Sequence, residues 1–144
     1  MLGMGIIMIS TILVTDDSAL DNAIMRNYLY KERVNIVSAL NGREALDLIE
    51  SRNIDIIILD LEMPVLDGFG FLEEFSKTNF YKEIPIIIAS GIEEDEIEKV
   101  FAYDIYDFIR KPINSMNKLI LINKIRKALQ FRKMIVELRK NSEK

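Results

Sequence analysis

The chain has 144 residues, 49% of them hydrophobic, with 19 Lys/Arg against 23 Asp/Glu and a formal charge of −4. That length suits one domain with a full core. The absence of cysteine excludes disulfides, thiolate metal sites and cysteine catalysis, and the absence of histidine excludes His-based triads, imidazole metal sites and phosphohistidine chemistry within this chain.

The first residues, Met1 to Met8, lack the basic flank of a signal peptide. The apolar run that follows ends before Asp16 and is too short to span a bilayer. Residues 1–9 are expected to form a disordered leader, with the natural start close to Met8. Thr11–Val14 is a short apolar run read as the first strand, ending at Asp16-Asp17. Ser18 then N-caps a helix to about Glu32, with Leu20, Ile24 and Tyr28 at helical spacing. Val34–Ala39 is the second strand. Asn41-Gly42 turns the chain into a second helix whose Ala45, Leu48 and Ile49 can face the sheet.

The third strand, Ile54–Asp60, is apolar at nearly every position, the pattern of a strand buried on both faces in a parallel sheet. Asp60 ends it. Alone, Asp60 fits a residue that turns the chain or caps a helix as well as it fits a reactive carboxylate. Gly68 opens a third helix to about Lys77, with Phe71, Leu72 and Phe75 as its buried side. Pro85 starts the fourth strand, Ile86–Ser90, a position where proline is tolerated. The fourth helix, about Glu93–Tyr103, opens on Glu93-Glu94-Asp95-Glu96, where acidic side chains complement the helix dipole. The fifth strand is Tyr106–Arg110, ended by Lys111-Pro112, and a last helix runs from about Ser115 towards Lys140. Strands alternating with helices over short connections define an α/β fold: a doubly wound five-stranded parallel sheet with helices on both faces and an extended C-terminal helix.

In a parallel sheet the carboxyl ends of all strands emerge on one edge, where ligand chemistry gathers. Asp16-Asp17, Asp60, Ser90 and Lys111 therefore converge. Like charges at ~4 Å repel by roughly 4 kcal/mol each at an effective dielectric of about 20. Three such carboxylates call for a cation, and oxygen donors without His or Cys select a hard one, Mg²⁺ or Mn²⁺.

At these residues the chain resembles the receiver domains of two-component response regulators, the flavodoxin-like, CheY-like fold. The segments that carry the resemblance are Val14-Thr15-Asp16-Asp17-Ser18, Ile58 through Gly68, Ile88-Ala89-Ser90-Gly91, Asp107 through Pro112, and Asn41 through Leu46. The resemblance implies that Asp60 accepts a phosphoryl group from a phosphohistidine on a sensor histidine kinase or phosphotransfer protein. It implies Mg²⁺ held directly by Asp17 and Asp60, through water by Asp16, and by the backbone carbonyl of Glu62. Lys111 would pair with the phosphoryl oxygens, beside a cis Lys111-Pro112 bond. Ser90 would donate its hydroxyl, and Phe108 would be the aromatic that turns inward as Ser90 moves.

The same resemblance implies a cytoplasmic protein that promotes only its own phosphorylation and dephosphorylation. Its switched face, formed by the fourth helix, fifth strand and fifth helix, would control a downstream effector or a fused output domain. Four positions depart from the commonest family pattern: Asp104-Ile105 replaces a Gly-Ala pair, Gly91 replaces alanine, and Glu62 adds a carboxylate two residues after Asp60 and is expected to tune the phosphoryl lifetime. Two other readings stand beside this one. The segment Asp60-Leu61-Glu62 superficially resembles the haloacid-dehalogenase phosphatases, although those place the nucleophile on an early strand; the other reading is a receiver-like interaction module that is never phosphorylated.

Charge divides the chain. Residues 1–110 carry 9 Lys/Arg against 21 Asp/Glu, and residues 111–144 carry 10 against 2. An acidic body with a basic end suggests either self-association by charge, as a homodimer, or a separate role for the tail. The basic stretch contains Phe131 as its one aromatic, so direct nucleic-acid binding is not expected, nor is membrane binding. The reading divides the chain into the leader (1–9), a receiver domain (10–128) and a basic C-terminal helix extension (129–144).

Overall fold

The central strands determine the architecture. A computed structural model describes residues 9–143, so the expected leader lies, Ile9 apart, outside the described residues. β3 (Ile56–Leu59) and β4 (Ile86–Ser90) are buried at every position, which explains why their sequences lack polar alternation. β1 (Ser10–Thr15), β2 (Val34–Ala39) and β5 (Asp107–Arg110) complete a parallel sheet in the order β2-β1-β3-β4-β5.

Among the described residues five helices follow the strands: α1 (Ala19–Tyr28), α2 (Gly42–Ser51), α3 (Gly68–Phe75), α4 (Glu94–Val100) and α5 (Ser115–Ser142). Because successive strand residues face opposite sides, the sheet divides the core in two. Leu13, Ile57, Leu59, Ile86 and Ile88 pack with residues of α2, α3 and α4. Ile12, Val14, Ile56, Ile58, Ile87 and Ala89 pack with Met25 of α1, with Leu29 and with Leu121, Ile125 and Ala128 of α5. This division follows from right-handed crossovers. The chain leaves β1 towards β2 and then reverses past β1 to β3, so α1 and α2 fall on opposite faces. The reversal places a crevice at the carboxyl ends of β1 and β3.

Side-chain oxygens of Ser18, Asn41, Asp67 and Asn114 accept from first-turn amides of α1, α2, α3 and α5. Asn41 is thus a cap. Gly42 behind it is buried, where an added Cβ would lie 2.8 Å from the Leu66 carbonyl oxygen.

Several boundaries differ from the sequence reading. α1 ends at Tyr28, not Glu32, because Leu29 turns into the core and the chain must reverse before Val34. Its buried face is Met25, continued by Leu29; the expected Leu20 is 69% exposed. β3 begins at Ile56 because the side chain of Asp55 accepts the Thr11 amide at 2.8 Å, ending the strand there. α4 stops at Val100, before a turn through Tyr103, and β5 starts at Asp107.

Val65, in the loop after β3, has φ of 67° and is the one non-glycine residue with positive φ among the described residues. A β-branched side chain is strained in that region. Val65→Asn is expected to stabilise the fold by about 1 kcal/mol, read as a higher urea midpoint with unchanged slope.

Candidate functional site

Strand register assembles the site. Thr15 pairs with Leu59, Leu59 with Ile88, and Ser90 with Arg110, so Asp16, Asp60 and Lys111 each follow a strand at one edge. Backbone bonds fix them there: the Asp16 amide donates to the Ala39 carbonyl, the Asp60 amide to Thr15 at 2.9 Å and the Lys111 amide to Ser90 at 3.0 Å.

Oxygens of Asp16, Asp17 and Asp60 lie within 4.8 Å of one another, with Asp16 and Asp60 buried and Asp17 exposed. The Lys111 ammonium donates to Asp16 Oδ2 at 2.5 Å, to Asp21 Oδ2 at 2.9 Å and to Asp60 Oδ2 at 3.5 Å. The Lys111-Pro112 bond is cis. One ammonium thus faces four carboxylates, an uncompensated negative charge built from oxygen donors. That set fits a hard divalent cation, and Asp16, Asp17 and Asp60 are the residues placed to hold it.

Burial pushes the Asp60 carboxyl above its ordinary value, and Asp16 adds to this, while Lys111 and the amides of Glu62 and Leu61 offset part of it. For Lys111, burial pulls the ammonium down, but the hydrogen bonds to Asp16 and Asp21 and the charges of Asp60 and Asp16 outweigh it, so the net shift is upward. The ammonium stays charged, and Asp60 remains an incompletely neutralised carboxylate.

Ser90 is fully buried and its Oγ has no hydrogen-bond partner. Such a group carries a desolvation cost unless something else occupies the site. Phe108 is half-buried against the α2–α4 core. It pairs with Ile88, two residues before Ser90 on β4, so the ring and the hydroxyl lie on the same face of the sheet. The Glu62 side chain points to solvent, and its amide donates to Asp60 Oδ1 at 3.4 Å.

The sequence reading missed Asp21. It also missed a cavity of about 370 Å³ beside Asp60 and Lys111, walled by Ile24, Met25, Tyr28 and Ile113. Asp21 shares the i, i+4, i+8 stripe of Met25 and Leu29, which packing rather than sequence identifies as the buried one.

This fold and edge constellation define a class of α/β protein with an acidic crevice at the carboxyl edge of a parallel sheet. The family model for the response regulator receiver domain matches residues 12–126, and the chain belongs to that family. It is 33% identical over 127 residues to response regulator GtcR of Aneurinibacillus migulanus, covering 86% of this chain and 51% of that one. It is 30% identical over 104 residues to two-component response regulator ORR5 of Oryza sativa subsp. japonica, covering 71% of this chain and 78% of that one. The fold also matches the signal receiver domain of a Luxo repressor protein from Vibrio parahaemolyticus, with TM-score 0.81 at 24% identity, covering 91% of this chain and 98% of that one. The chain spans about half the length of several curated relatives that it matches. Among the described residues, no helix is long and apolar enough to cross a membrane.

Proposed function

We propose that this receiver domain is switched by phosphorylation of Asp60. The observation that carries the reading is the shared placement of Asp60, Asp16 and Lys111 at the crevice between β1 and β3. An Asp60 carboxylate oxygen attacks the phosphorus of a phosphohistidine on a histidine kinase or phosphotransfer protein. The P–N bond breaks, the imidazole leaves and takes a proton from solvent, and Asp60 becomes a mixed anhydride. In-line transfer asks the protein mainly for positioning and charge neutralisation. Lys111 neutralises phosphoryl oxygens, and the unpartnered Ser90 hydroxyl donates to one. Asp16, Asp17 and Asp60, with the Glu62 carbonyl, would hold a Mg²⁺, which would supply the remaining positive charge.

The new charge draws Ser90 towards the site and Phe108 into the space behind it, which changes the α4-β5-α5 face. The chain acts on no external substrate in this reading. The test is intact mass after acetyl phosphate with Mg²⁺, alongside a spectroscopic shift on adding beryllofluoride. One phosphoryl adduct and a saturable shift are expected; no response to either reagent would leave an inert interaction module.

The output partner is a downstream effector or fused domain, together with a second copy of this chain. α4 opens on Glu94, Asp95 and Glu96, while α5 exposes Lys127 and Ile120. Opposite charges across such a face favour association and are screened by salt. Sedimentation is expected to show a shift towards dimer with beryllofluoride that weakens as salt rises. A monomer in both states would count against the dimer.

A further inference from the structure

We infer that Asp21 is a positioning residue that holds the Lys111 ammonium on the α1 side of the site and sets the balance between cation and phosphoryl binding. The inference rests on the reading of Asp60 as phosphoacceptor. An ammonium has three donors. Two of them lie on Asp16 and Asp21, at 2.5 and 2.9 Å, and the contact with Asp60 is the longest of the three at 3.5 Å. Lys111 is therefore held more closely by Asp16 and Asp21 than by the residue it would serve.

The local fold holds Asp21 in place. Its amide donates to the Ser18 cap at 3.1 Å, and Met25 and Leu29, one and two turns on, are locked into the core. Asp16 is fixed as well, because its second oxygen accepts the Ser18 amide at 2.9 Å. The two carboxylates differ in surroundings. The Asp16 side chain is 6% exposed and the Asp21 side chain 40% exposed. Asp21 can give up the ammonium to a phosphoryl group and be solvated by water, whereas Asp16 would be left as a buried, unpaired charge.

Asp21 is thus the contact that yields. Before phosphorylation its charge helps to attract a divalent cation. After phosphorylation it faces an added anion and disfavours that state. Losing the charge should move the two affinities in opposite directions, a signature that general damage to the fold cannot produce.

The test titrates Mg²⁺ alone by calorimetry, and then beryllofluoride at saturating Mg²⁺, into wild type, Asp21→Asn and Asp21→Glu. The Asn variant is expected to bind Mg²⁺ on the order of 3- to 10-fold more weakly and beryllofluoride more tightly by a similar factor, the scale of one nearby, partly screened charge. The Glu variant is expected to stay close to wild type in both. An Asn variant unchanged in either affinity or weakened in both, or a Glu variant that matches Asn, overturns the role of Asp21 alone. A wild type that binds neither probe overturns the reading of Asp60, and this inference with it.

Discussion

Asp60→Asn is expected to abolish the phosphoryl adduct completely and, in metal-free buffer, to raise the stability of the fold. The first effect is chemical: an amide oxygen is a poor nucleophile towards phosphorus, and Asp60 is the buried carboxylate between Asp16 and Lys111. The second follows from electrostatics. Burial and the Asp16 charge raise the Asp60 carboxyl above the ordinary aspartate value of 3.8, so its ionised form opposes folding. An acid raised in the folded state contributes stability that is fully present below its unfolded value and lost as pH rises through its folded value. The isosteric amide removes that loss.

The variant should therefore gain on the order of 1–2 kcal/mol at neutral pH, the scale of one like-charge contact at a partly buried edge after the Lys111 ammonium has offset part of it. The gain should disappear as pH falls towards 3.8, where wild type is itself protonated. Added Mg²⁺ should narrow the gap, because wild type keeps the third carboxylate of the cluster. Urea melts across pH, with and without EDTA, check each part. An Asn variant less stable than wild type at neutral pH without metal would show that Asp60 is paired well enough to support the fold.

The sheet and the gathering of carboxylates at one edge were legible because they depend on short-range patterns. Buried parallel strands need apolar residues at every position, so Ile56–Leu59 and Ile86–Ala89 announce themselves, and strand ends then collect whatever polar residue follows each run. Helix phase was less legible. Leu20, Ile24 and Tyr28 have a helical repeat as good as that of Asp21, Met25 and Leu29, and only packing against β1 and α5 selects the second set. Asp21 was passed over, because its contact with a lysine ninety residues on exists only once the strands and α1 have packed. The cavity beside Lys111 was hidden because its walls come from segments distant in sequence, Ile24, Met25 and Tyr28 of α1 and Ile113 after β5. The far end of α5 was read by residue type. The core stripe Leu121, Ile125 and Ala128 continues at the same spacing into Arg132, but an arginine reads as surface unless its partners are known.

Arg132 carries the largest expected effect on stability. Its side chain is 6% exposed, at the end of the sheet away from Asp60. It donates to the Glu83 carbonyl at 2.9 Å and to Asp55 Oδ1 at 3.5 Å, while the other Asp55 oxygen accepts the Thr11 amide. One guanidinium thus ties α5 to the segments that enter β1, β3 and β4. Removing one partner of a buried pair costs about 3–5 kcal/mol, and Asp55, a quarter exposed, can recover part of that from water. Arg132→Ala is therefore expected to lose about 2–4 kcal/mol. Arg132→Met, which keeps the apolar stem, should lose less. Arg139 pairs with Glu83 from an exposed position, and its Ala variant should change stability by under about 0.5 kcal/mol.

The same contrast tests the division of the chain near residue 128. A protein shortened after residue 130 loses Arg132 and should melt at markedly lower urea, whereas one shortened after residue 136 keeps Arg132 and should remain close to the full chain. Equal midpoints for all three would make the end of α5 a separate extension with no part in holding the sheet.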